Sequence, residues 1–154
     1  MTSTTRKKVL LGTLAAIIAM QFFQPALNIH SHPTHTAIDR HFEVSPEVLQ
    51  LLRTSCYDCH SNNTQYPWYF KLQPLGWWLD HHIEEGKEHL NFDEFATYTA
   101  EKQKHKLEEV IETLQEGEMP LKSYTLVHRD AKLSPAQKQL LIGWAKQLGD
   151  AIQK

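Results

Sequence analysis

An all-α domain behind a short apolar leader is the fold class that this 154-residue chain predicts, on three observations. Apolar residues recur at helical spacing in three separate stretches. No run of alternating or β-branched residues reads as a strand. One pentapeptide, Cys56-Tyr57-Asp58-Cys59-His60, holds both cysteines of the chain and places a histidine beside them.

The leader comes first. Val9 to Phe23 reads VLLGTLAAIIAMQFF, preceded by the basic Arg6, Lys7 and Lys8. Extended through Leu27 the uncharged run has 19 residues. As one helix, at ~1.5 Å per residue, that length comes close to a hydrocarbon core of ~30 Å. No A-x-A cleavage site closes the run and no cysteine follows it, so residues 1–27 read as an uncleaved membrane anchor in preference to a cleaved secretory signal. The basic end then lies in the cytoplasm and the remainder is exported. Residues 28–44 carry His30, His32, His35 and His41 among Ser, Thr and Pro without apolar periodicity. Such a tract could catch a metal or lend a ligand to a cofactor, but its composition reads first as a polar, flexible tether.

The third unit, 45–154, holds the helices. Ser45-Pro46-Glu47 combines a hydroxyl cap, a proline at the first helical position and an acid in the first turn, and Val48, Leu49, Leu51 and Leu52 supply an apolar face. That helix runs into the Cys56 turn. Beyond the polar Ser61-Asn62-Asn63-Thr64, the segment Tyr66 to Trp78 packs six aromatics around Pro67 and Pro74 and predicts broken structure whose rings wall a cofactor pocket or fill ordinary core. A short helix is predicted from Trp77 to Lys87. A longer one is predicted from Tyr98 to Gln115, where Leu107, Val110, Ile111 and Leu114 share a face and Gly117 ends it. Leu121 to Lys132 reads as an irregular link. Ser134-Pro135-Ala136-Gln137 is a capping box, opening a last helix with Leu140, Leu141, Trp144, Ala145, Leu148 and Ile152 inward.

The spacing C-x-x-C-H carries the chemistry. On a helical turn, positions i, i+3 and i+4 share one side, so two sulfurs reach one edge of a flat macrocycle while the imidazole lies beneath its centre. This is the attachment pattern of a c-type haem, with Cys56 and Cys59 as thioethers and His60 as the proximal iron ligand. Three other uses of the cysteines stand beside it. A zinc site wants a second compact ligand pair, and His82, His89 or His128 would have to supply it. A redox dithiol belongs near a βαβ pattern, and a disulfide across so short a loop stabilises little.

Glu118-Met119-Pro120-Leu121 is the second informative stretch. A methionine is most often core filler, yet Met119 is the only one outside the leader, it lies in a loop between two helices, and proline removes a competing amide. It is therefore the candidate distal iron ligand, with His81, His82 and His89 as its rivals. Lys122 and Arg129 are candidate partners for a haem propionate, and Trp144 is placed in the core near the haem edge.

Composition narrows the partners. All 18 acidic residues follow the leader, against 13 basic ones beyond residue 30, so that part of the chain is near −5. No basic patch interleaved with aromatics is present, which speaks against nucleic acid. An acidic surface fits a redox partner with a basic docking face, and fits equally a surface that only keeps the protein soluble.

From Ser45 to the C-terminus the chain resembles the bacterial haem-binding domain family of small membrane-anchored cytochrome c-like proteins. The likeness is carried by Cys56-Tyr57-Asp58-Cys59-His60-Ser61-Asn62, Tyr66-Pro67-Trp68-Tyr69, Glu118-Met119-Pro120, His128, Leu133-Ser134 and Trp144. The resemblance implies one covalent haem c, a cytochrome c-like fold around it and electron transfer to a partner protein. The expected function is a mono-haem c-type cytochrome on the periplasmic side of the inner membrane, or in the periplasm if the leader is cleaved. It is expected to carry single electrons and to be no enzyme. A haem-based sensor is the alternative, and a zinc-binding interaction module is less favoured.

Overall fold

The computed structural model describes residues 3–30 and 34–152, so His32 of the polar tract lies outside the described residues. Among these there are eight α-helices and no strand. The helices are α1 (Ser3–Met20), α2 (Ile38–His41), α3 (Pro46–Ser55), α4 (Tyr57–His60), α5 (Leu75–His89), α6 (Ala100–Glu116), α7 (Lys122–Val127) and α8 (Pro135–Ala151). Short 3-10 turns at Trp68–Lys71, Phe95–Thr97 and Arg129–Ala131 join them, and a single antiparallel bridge pairs Ile29 with Asn63.

Local chemistry sets the helix ends. Ser45 accepts from the Val48 amide at 3.3 Å, with Pro46 behind it, to start α3. Thr99 accepts from the Lys102 amide at 3.3 Å to start α6. Ser134 and Gln137 satisfy each other's backbone amides at 3.3 and 2.8 Å to start α8. At Gly117 the backbone turns left-handed, with φ 74°, which only glycine adopts without a steric penalty, and α6 stops there.

α6 and α8 pack along their lengths, and α3 crosses α8. Between them lie Val48, Leu52, Leu107, Leu114, Leu141, Ala145 and Leu148, joined by Phe92 and Phe95 from the loop after α5. Burial of each such leucine is worth ~2 kcal/mol, so this cluster is what holds the domain together. A second, smaller cluster of Phe70, Leu79 and Ile83 fixes α5 on the turn before it, with Cys59, Tyr66 and Tyr69 packed against it.

Several expectations change. The segment from Tyr66 to Trp78 does hold broken structure, but Phe70 faces the small cluster while Trp68, Trp77 and Trp78 face outward. Lys122–Val127 is a helix where an irregular link is expected. The described part of residues 28–44 is docked on the domain. Asn28 is buried and donates to the Ser61 carbonyl at 2.8 Å and to Thr64 at 2.9 Å, and Lys87 donates to its side-chain oxygen at 2.8 Å. Thr34 and Thr36 donate to the Asp93 carbonyl at 2.7 and 2.8 Å, and Ile38 is fully buried. Asn28, Thr34 and Thr36 of that tract are spent on the domain's own polar groups, which composition alone does not reveal.

α1 also differs from expectation. Ser3 to Ala19 are all exposed, and Arg6, Lys7 and Lys8 lie within the helix. The chain turns at Gln21 and Phe22, just before Pro25, so the apolar helical part is Val9 to Met20 only. At ~1.5 Å per residue this is roughly 18 Å, against a hydrocarbon core of ~30 Å. Among the described residues no helix is long and apolar enough to cross a membrane.

Candidate functional site

The pentapeptide forms a helical turn: the amides of Cys59 and His60 both donate to the Cys56 carbonyl, at 3.2 and 3.0 Å. That bonding puts Cys56, Cys59 and His60 on one side of the backbone. α4 is wedged between α3 and α5. Gly86 of α5 makes the close fit possible. A β-carbon there would lie 2.6 Å from the Cys59 carbonyl oxygen and 3.0 Å from its Cβ.

His60 is pinned from behind. Its Nδ1 donates to the Leu90 carbonyl at 2.9 Å, since a carbonyl can only accept, and the Phe92 amide donates to the His60 carbonyl at 2.8 Å. Nε2 is thereby left with the lone pair that a metal ion needs. Burial lowers the His60 pKa, outweighing the neighbouring carbonyls, so the ring is neutral at pH 7. A network of Asn62, Asn91, Asp93 and Glu94 secures this corner: the Asn62 amide donates to Asp93 at 2.8 Å and the Asn91 side chain to Asn62 at 2.8 Å.

A cavity of about 510 Å³ opens on this turn, within the range of cofactor pockets. Cys56, Cys59 and His60 line one part of it, and Met119 and Pro120 line another. Apolar walls come from Leu52, Leu90, Phe92, Val110, Leu114 and Leu141. All four residues singled out by the sequence therefore meet at one cavity. His82 and His89 line it as well, whereas His81 is exposed and paired with Glu85 at 3.3 Å. Lys106 is the basic lysine or arginine side chain on the wall, and it also holds Glu109 at 2.7 Å; Lys122 and Arg129 are exposed and do not line the cavity. Trp144 is core, as expected, but lies outside the lining, and so do all the aromatics between Tyr66 and Trp78.

The thiols are poor candidates for ionised chemistry. Burial pushes Cys56 up to about 12, with Cys59 adding to the rise, and burial together with Asp58 pushes Cys59 up to about 11. Zinc ligation and dithiol exchange both work through thiolate, which this setting disfavours. Among the described residues no group of three or more His, Cys, Asp or Glu side chains converges to hold a metal ion.

Tyr124 is a site residue that sequence reading passes over. Its hydroxyl donates to the Asp58 carboxylate at 2.6 Å, and the other carboxylate oxygen accepts from the Gln65 amide at 3.1 Å. Its ring stacks on His128, with 4.4 Å between centroids, and His128 Nε2 lies 3.1 Å from the Tyr69 hydroxyl. Burial and the Asp58 carboxylate both raise the Tyr124 pKa, so the phenol stays protonated and donates. This contact ties α7, which follows the Met119 loop, to the turn that carries the cysteines. Tyr124→Phe is expected to lose ~1–2 kcal/mol of stability, read as a lower denaturation midpoint with unchanged cooperativity, because a hydrogen bond to a charged group is removed. An unchanged midpoint would mean that the contact contributes nothing. The stripe Lys106, Val110 and Thr113 on α6 could have been found, since its i, i+4, i+7 spacing runs beside the apolar face.

An all-α domain with C-x-x-C-H and a lone methionine on one apolar cavity has the donor set of a haem protein. The chain belongs to the haem-binding domain family, which matches residues 15–147. Among curated proteins and among solved structures nothing matches it. The cavity suits that group on its own evidence. Two neutral thiols and an imidazole with a free Nε2 share the wall. On the same wall Ser55 Oγ is buried with no hydrogen-bond partner among the described residues, so a polar donor is left for an occupant.

Proposed function

We propose that this protein is a mono-haem c-type cytochrome that carries single electrons and catalyses no reaction of its own. The observation that carries this reading is the meeting of Cys56, Cys59, His60 and Met119 on one cavity of about 510 Å³. The haem would supply a one-electron couple, iron(III) to iron(II). The chain's own residues do the rest. Cys56 and Cys59 would hold the macrocycle by thioethers, and His60, oriented by the Leu90 carbonyl, would present Nε2 to the iron. Met119, on another part of the cavity wall, would supply the second ligand, its loop held by two amide hydrogen bonds to the Thr113 carbonyl, at 3.0 Å from Glu118 and 3.3 Å from Met119. Leucine, valine and phenylalanine side chains line the cavity, and by excluding water they would favour the less charged, reduced state of the haem. Lys106 is the cation best placed for a propionate. With His60 and Met119 both engaged in holding it, the haem would supply electron transfer rather than substrate chemistry.

Met119→Ala tests the ligand set. The sulfur-to-iron charge-transfer band is expected to vanish, and the midpoint potential to fall by roughly 0.1 V or more, within the ~0.8 V that axial ligands can span. An unaltered spectrum would transfer the sixth position to His82 or His89, which line the same cavity. A sensor reading follows the same geometry, and rapid carbon monoxide binding by the reduced wild-type protein would favour it over the carrier.

Covalent haem c is attached outside the cytoplasm, so the domain is placed on the periplasmic side of the inner membrane. It is held there by the apolar helix Val9 to Met20, and its electron partner would be a second redox protein. The exposure of every residue from Ser3 to Ala19 supports this, because an apolar helix with no buried face wants another solvent. Mass analysis of the mature N-terminus separates retained anchor from cleaved leader.

A further inference from the structure

The end of α1 is joined to the haem domain by a ladder of amides. The Gln21 side chain donates to the Gln73 carbonyl at 3.1 Å and accepts from the Gln73 amide at 2.9 Å. Gln73 Nε2 donates to Gln24 at 3.0 Å, and Gln24 donates to the Lys71 carbonyl at 3.3 Å. The Trp77 indole donates to the Phe23 carbonyl at 2.7 Å. Residues 21–24 are thus laid against residues 71–77 with no slack between helix and domain.

Large apolar side chains gather at this junction and stay exposed. Phe22 is 81%, Phe23 68%, Leu75 48%, Leu72 46%, Trp78 44% and Trp77 39% accessible. Contiguous exposed apolar surface of this kind marks a contact face. The charge pattern is equally one-sided. No acidic residue occurs between Met1 and Ile38, nor between Cys59 and Leu79, although the chain beyond residue 30 is near −5 overall; Lys71 stands at the edge of the patch.

We propose that this surface rests in the headgroup region of a phospholipid bilayer, so that the haem domain lies on the membrane. The proposal deepens the reading of residues 1–27 as a membrane anchor and rests on it. Three features favour lipid as the occupant. The patch is continuous with the apolar helix; it is built of Trp, Phe and Leu, the side chains that settle at the water–hydrocarbon boundary; and acidic residues are missing from both stretches that form it. The shortness of α1 fits as well. An apolar length of roughly 18 Å falls short of the ~30 Å core by itself, and a domain face that sinks into the interface reduces the mismatch. On α5, Trp78 touches His82, which lines the cavity, with ring centroids 4.5 Å apart, so the mouth of the haem pocket lies within one helical turn of the lipid.

The test uses full-length, haem-loaded protein in vesicles of phosphatidylethanolamine and phosphatidylglycerol. Nitroxide labels are placed at Leu75→Cys, in the patch, and at Gln147→Cys, an exposed position on α8; the visible spectrum of each variant verifies folding. The preference of the label for collision with oxygen over a water-soluble nickel chelate is expected to be severalfold higher at Leu75 than at Gln147. If the protein floats with the vesicles but the Leu75 label meets nickel freely, the domain stands off the membrane; the surface is then refuted and the anchor survives. A Leu75 label shielded from both reagents means that a protein, or a second copy of this chain, covers the face, which also refutes it. If the protein fails to float with the vesicles, anchor and surface fall together.

Discussion

Replacing Cys56→Ser together with Cys59→Ser is expected to abolish all haem that stays with the polypeptide through denaturing electrophoresis. These are the only sulfhydryls in the chain, so no substitute nucleophile exists for the vinyl groups. The loss should be complete, while either single variant keeps one thioether and part of the stain. His60 and Met119 remain in the double variant, and the apolar cavity with them. It should therefore still take up haem added in solution, now extractable by acidified organic solvent. Two outcomes contradict the account: stain retained by the double variant, or wild-type protein matured alongside other cytochromes that is colourless with both thiols free.

Gly86→Ala is expected to lower stability sharply. The new methyl would lie 2.6 Å from the Cys59 carbonyl oxygen, inside van der Waals contact with backbone that cannot swing aside. Either α4 moves away from α5 or the α5 axis bends, and both displace Cys59 and His60. A cost of ~2–4 kcal/mol is expected from such overpacking. Because the moved element is the haem turn, the yield of covalently loaded protein should fall in parallel with the denaturation midpoint. Gly143→Ala on α8 is the control, since nothing lies within 4 Å of a β-carbon there and helix propensity favours alanine by about 1 kcal/mol. Equal stability of Gly86→Ala and wild type would mean that α4 and α5 are not held as closely as described.

How much of this was legible beforehand depends on the range of the interaction concerned. The capped starts at Ser45 and Ser134 and the stop at Gly117 are written within four residues, and they fall where the sequence puts them. The helical turn of C-x-x-C-H is equally local. Its meeting with Met119, across 60 residues, was inferable only because methionine is so scarce outside the leader. Long-range polar bonds left no such trace. Nothing in the sequence pairs Tyr124 with Asp58, 66 residues away, or Asn28 with Ser61 and Thr64, and so a docked segment read as a tether. The aromatics from Tyr66 to Trp78 misled for the opposite reason. Their size invited a place against the cofactor, yet α5 turns Trp77 and Trp78 away from the cavity, and helical phase inside so short a segment with two prolines cannot be fixed by composition.

The half-buried thiols carry a lesson about timing. Cys56 and Cys59 line the cavity of the finished domain and keep their protons far above neutral pH, so they would be slow to add to a double bond once the fold has closed. On the proposed covalent attachment, cofactor loading would come before final collapse, on a chain still open to its reactants. Speed of folding becomes a liability in this protein. A variant that collapses faster than it is loaded would accumulate as stable, colourless material, a loading defect that no measurement on the haem-loaded protein would disclose.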